Sequence, residues 1–101
     1  MDKSKGTKQS TEILSVNASE ENAFWCVDGQ IFKNVFDLRA GLNKMSDETF
    51  AYHSNTEKHD FSNWLRDVIS DRKLANSLAQ ATTRQEAAKM VSNRIAFTNL
   101  K

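Results

Sequence analysis

Residues 45–71 read "MSDETFAYHSNTEKHDFSNWLRDVISD", and they describe two helices with a polar interruption between them. Ser46 stands where a side-chain oxygen caps a helix, and Asp47 and Glu48 follow where the positive end of the helix dipole favours acids. Met45 and Phe50 occupy the two positions of a hydrophobic staple. A helix is therefore expected from Asp47 to about Ser54. "SNTEKHD" interrupts it. Beyond the interruption, Phe61, Trp64, Leu65, Val68 and Ile69 recur at helical spacing and mark one buried face of a further helix. Asp60 is the natural N-cap, with Thr56 as an alternative start one turn earlier.

Working outward, "AFWCVDGQIFKN" carries the strongest hairpin signal. Asp28-Gly29 suits a two-residue type I′ turn, which needs positive φ at both central positions. Strand alternation points Phe24 and Cys26 one way and Trp25 and Val27 the other, so one pair is expected on the helices. Asn34 then reads as the N-cap of a short helix with Val35, Leu38 and Leu42 inward, weakened by Gly41. Ser70 or Asp71 opens another helix with Leu74, Ala75 and Leu78 inward. Thr83 and Glu86 form a capping box for a last helix from Arg84 to about Phe97, presenting Ala87, Met90, Val91, Arg94 and Ile95 to the core. The expected fold is mainly α: a small bundle of about five short helices preceded by a β-hairpin. Residues 1–22, rich in Ser, Thr, Lys and Gln, are expected to form a mobile polar tail before a single globular domain over 23–98.

The chain of 101 residues, 39% hydrophobic and 27% charged, has the composition of a globular protein with one modest core. No apolar run approaches a membrane span and no signal-like block opens the chain, so a cytoplasmic location is expected. Cys26 has no partner for an internal disulfide and reads as a small apolar strand residue. The net charge of +1 conceals an asymmetry: residues 23–71 carry five Lys or Arg against eight acids, whereas residues 72–101 carry six against Glu86 alone.

The run from Val27 to Val91 resembles a small prokaryotic domain of unknown function, known mostly from archaeal proteins. Its elements here are Asp28-Gly29, Met45 to Phe50, Tyr52-His53 with Asn55, Lys58 with Asp60-Phe61, Trp64 with Asp67-Val68, and Asp71 with Leu74-Ala75. The likeness covers roughly residues 24–95 and departs from the family at Ser54, where an apolar residue is expected. It implies a shared fold and brings no activity, cofactor or site with it. That domain occurs alone or joined to others.

The interrupted stretch holds both histidines. His53 and His59 are six apart, which on one helix leaves them about 120° off a common face; a metal pair prefers a separation of four. Ser54 adjoins His53 but neighbouring helical residues do not face each other, and no Gly-rich loop or glycine-flanked serine offers a phosphate cradle or an exposed nucleophile. No catalytic residue, metal ligand or cofactor is therefore assigned. Tyr52, His53, Asn55, Lys58, Asp60, Trp64 and Asp67 are instead expected to stitch a helix junction. In that role Asn55 ends one helix in left-handed φ and Asp60 accepts from the amides of the next. Lys58 and Arg66 pair with Asp67 or Glu57, and the rings of Tyr52 and Trp64 are buried. Trp25, Phe32 and Phe36 are the candidate interaction residues, because aromatic side chains anchor interfaces. A free edge of the hairpin could accept an added strand. The expected function is a non-enzymatic protein-interaction or regulatory module whose partner is another protein or domain, or a second copy of the chain, and not a membrane. Nucleic-acid binding through the basic C-terminal third is the alternative, and a small metal-dependent or hydrolytic enzyme is a further one.

Overall fold

The computed structural model describes residues 16–99. After a 3₁₀ turn at Glu20–Asn22, strands β1 (Phe24–Trp25) and β2 (Ile31–Phe32) form an antiparallel hairpin with Phe24 opposite Phe32 and Trp25 opposite Ile31. Five helices follow: α1 (Val35–Lys44), α2 (Asp47–His53), α3 (Asp60–Trp64), α4 (Arg72–Ala79) and α5 (Arg84–Asn99). The fold is the expected small, mainly α bundle behind a hairpin.

Capping sets most of the helix starts. Asn34 Oδ1 accepts from Asp37 N–H at 2.8 Å, Ser46 Oγ from Thr49 N–H at 3.0 Å, and Asp71 Oδ1 from Leu74 N–H at 3.1 Å. Thr83 Oγ1 accepts from Glu86 N–H, while the Glu86 carboxylate reaches back to Thr82 N–H, one residue beyond the usual capping-box partner. The bond from Thr82 holds the Glu86 carboxyl below the usual carboxylate range.

The hairpin turn differs from the expected two-residue form. Cys26 N–H donates to Gln30 O and Gly29 N–H to Cys26 O, so Val27, Asp28 and Gly29 make a three-residue loop. Of these three residues only Gly29 has positive φ, at 96°, as in hairpins that place a glycine in the left-handed position after the turn. Asp28 takes no left-handed conformation; its carboxylate accepts from the backbone and side-chain amides of Gln30.

One core runs through the molecule, organised around stacked rings. Phe32 stacks on Phe24 (5.7 Å), Phe24 on Phe61 (5.0 Å) and Phe61 on Phe50 (5.8 Å), joining the hairpin to α3 and α2. Trp64 meets Phe24 edge-on. Gly41 has a packing role in α1, because a Cβ there would overlap the Phe32 ring. α1 packs chiefly on α5, and α4 lies against α3 and α5.

After Trp64 the chain widens into a π turn over Leu65–Ile69, where a single continuous helix was expected. Leu65 and Ile69 stay buried while Val68 is half-buried. Leu65 O accepts from Asp71 N–H, and Ser70 ends the turn in left-handed φ of 69°. Residues 16–22, expected in the polar tail, are held against the domain: Ala18 N–H donates to Lys33 O, Asn34 bonds Asn17, and Val16 packs on the core. The rest of the expected tail, residues 1–15, lies outside the described residues.

Candidate functional site

The interruption between α2 and α3 is a compact polar turn. Ser54 and His59 form an isolated antiparallel bridge, and Asn55 N–H donates to Lys58 O. Asn55 closes α2 with its side chain rather than with left-handed backbone: its amide donates to Ala51 O, and its carbonyl accepts from Glu57 N–H and Lys58 N–H. That local bonding is the habit of Asn in turns and needs no positive φ.

His53 is the centre of the junction. Its Nε2 accepts from Val27 N–H at 3.0 Å, and its Nδ1 lies 3.0 Å from Asp60 Oδ2. A nitrogen that accepts from an amide carries no hydrogen, so the ring is neutral with its hydrogen on Nδ1, donated to Asp60. Asp60 therefore does not take the N-cap role expected of it from the sequence. It is the first residue of the helix, and its carboxylate turns to His53 and to Lys58 Nζ at 3.4 Å; His59 takes the N-cap position without a side-chain bond. Lys58 pairs with Asp60 and lies 4.0 Å from the centre of the Tyr52 ring, and Arg66 bonds Asn63, in place of the expected pairings with Asp67 or Glu57. Tyr52 is not buried as expected: it is 54% exposed, with its ring edge-on to His53.

Of the seven junction residues, Tyr52, His53, Asn55, Lys58 and Asp60 converge. Trp64 is buried beside them through Phe24, and its indole N–H donates to Asn22 O at 2.8 Å. Asp67 is exposed on the π turn. The site thus reaches across the chain to the hairpin. Asn22 O and Val27 N–H, on either side of β1, are bound by Trp64 and His53.

The candidate interaction residues divide. Trp25 and Phe36 are exposed, at 62% and 38%, whereas Phe32 is 1% exposed. Phe32 is therefore a core residue and not an interaction residue; it points inward with Phe24, opposite it in register, and covers Gly41. The outer face carries Trp25, its cross-strand partner Ile31, and Val27, all exposed. The Trp25 indole N–H meets Glu20 O at 3.3 Å.

Two ion pairs escaped sequence reasoning. Arg84 bonds Asp47 at 2.9 Å and Leu42 O at 3.0 Å, tying the start of α5 to the α1–α2 corner. Arg94 grips the buried Asp71 carboxylate through two nitrogens, at 3.0 and 3.2 Å. The second had a sequence signal, since Arg94 falls on the core face of its helix and Asp71 on a cap. Among the described residues no group of three His, Cys, Asp or Glu side chains is placed to hold a metal ion, and no helix is long and apolar enough to cross a membrane. No family model, curated protein or solved structure matches the chain.

Proposed function

We propose that this chain is a non-enzymatic protein-interaction module that binds another protein or domain through the outer face of its hairpin. The observation that carries the reading is the cross-strand pair of exposed apolar side chains, Trp25 and Ile31, continued by Val27 on a backbone pinned by His53 and Trp64. A rigid apolar face with an aromatic centre and a polar surround has the composition of an interface core. Both nitrogens of His53 are engaged in hydrogen bonds, which leaves none free as a general base or metal ligand.

Nucleic-acid binding draws less support. Of the basic residues in the last third, Arg84 and Arg94 are paired with Asp47 and Asp71, which thins the cationic surface available to phosphates. The test is retention of proteins from a lysate of the source cells on immobilised chain, with Trp25→Ala in parallel and light scattering to follow self-association. The expected result is a partner, or a second copy, that wild type binds and Trp25→Ala loses while its melting temperature stays unchanged. Two monomeric proteins that retain nothing would overturn the reading. Salt-sensitive retention of a nucleic acid by both would favour the alternative.

A further inference from the structure

His53 joins two parts of the molecule that are otherwise distant in sequence. It is 5% exposed, and its ring is clamped by Phe24 at 5.1 Å and Phe61 at 5.3 Å between centroids. Val27, which it holds, is 56% exposed at the tip of the hairpin. The bond to Val27 exists only while Nε2 has a free lone pair. A proton there would set one N–H against another, and one of the two groups must leave.

The surroundings determine which. Facing the ring are Tyr52 from α2, Lys58 from the connecting turn and Asp60 from α3, while Cys26 and Asp28 flank Val27 in the loop. A charged ring would strengthen its bond to Asp60, because charge-assisted pairs are shorter and stronger. Lys58, on the same carboxylate, opposes this only in part. The imidazole is buried and held by Asp60 and the two Phe rings, whereas Val27 is mostly in solvent, so the exposed loop is what yields. Burial pushes the Cys26 thiol up, so it stays a thiol. Slight burial raises the Asp28 carboxyl, but the Gln30 bonds outweigh it and hold the group below the usual carboxylate range, so it stays ionised. Of the side-chain types gathered here, only imidazole ordinarily changes charge between about pH 5 and pH 8.

We propose that His53 is a proton-sensitive latch: the neutral ring holds the hairpin loop on the helix junction, and a proton on Nε2 releases the loop while Asp60 keeps the ring in place. The device lies beneath the hairpin's outer face, but it stands whether or not that face binds a partner. Its sign follows from the bond. The latch is closed at the higher pH and opens as pH falls, because the open loop, not the closed one, accommodates the extra proton.

The test uses the full chain alone, by NMR, from about pH 8 to about pH 5. At the upper end His53 Nδ1 carries the hydrogen and Nε2 does not. As His53 titrates, the Val27 amide loses roughly two- to tenfold of its protection against hydrogen exchange, the range expected for one hydrogen bond. It does so at the midpoint of the ring, while Leu38 in α1 and Val91 in α5 keep theirs. Titration of the exposed His59 leaves Val27 unmoved. His53→Gln, whose side-chain oxygen can accept from Val27 without titrating, flattens the response. Protection at Val27 that ignores the His53 titration, persists in its pH response in His53→Gln, or falls together with that of Leu38 and Val91 would overturn the latch. If His53→Gln does not fold, the wild-type ring decides: hydrogen on Nε2 at the upper pH refutes it.

Discussion

Gly41→Ala should destabilise this protein, although the same change in an ordinary helix interior stabilises by about 1 kcal/mol. Gly41 lies in α1 with the Phe32 ring directly against its Cα, and an added methyl would overlap ring carbons of that side chain. Phe32 is 1% exposed and stacked on Phe24 at 5.7 Å, so it cannot tilt into solvent. Overpacking of this kind costs about 1–3 kcal/mol, and a rigid buried ring argues for the upper end. Against the helix-propensity gain of about 1 kcal/mol, the net loss is about 2 kcal/mol. For a domain of this size that lowers the melting temperature by roughly 8–16 °C. Urea and thermal unfolding followed by circular dichroism measure it directly. A second variant identifies the cause: Phe32→Leu, which removes the obstructing ring carbons, should make Gly41→Ala far less harmful, giving a coupling of about 1 kcal/mol or more. A Gly41→Ala protein as stable as wild type, or more so, would refute the packing role assigned to this glycine.

Trp64→Phe, which keeps most of the ring but loses the bond to Asn22 O, should cost about 0.5–1.5 kcal/mol in urea unfolding; Trp64→Ala should cost about 3–5 kcal/mol. Arg94→Met strands the buried Asp71 carboxylate, with an expected loss of about 3–5 kcal/mol. Asp71→Asn should recover part of that loss in the Arg94→Met background, as shown by the melting temperatures of the single and double variants. The Asp28 carboxyl should titrate by NMR below the ordinary carboxylate range. Because its folded value is lowered, its small contribution to the hairpin is present above that ordinary range and disappears as pH falls through the lowered value. Trp25→Ala should leave stability within about 0.5 kcal/mol of wild type, since the indole is mostly in water.

The sequence by itself determined much of what depends on residues a turn apart. The caps at Asn34, Ser46, Asp71 and Thr83 bond amides three residues on, and the inward faces of α1, α4 and α5 follow from helical spacing. The hairpin was legible from Asp28-Gly29, and so was the division of β1 into a buried and an exposed side. Short-range chemistry of this kind is written in the order of the residues.

Only the tertiary structure decided which partner each polar group takes when several are available. Asp60 was fit to cap α3, yet its carboxylate serves His53, because a buried imidazole N–H is costly to leave unpaired. His53 finds Val27 across 26 residues, and Trp64 finds Asn22 across 42. Phe32 belongs to the core and Gly41 is a packing site through the same event, the docking of the hairpin on the helices. Such matches are chosen by the relief of burying polar groups in pairs and rings in contact. That relief exists only once the distant pieces have met.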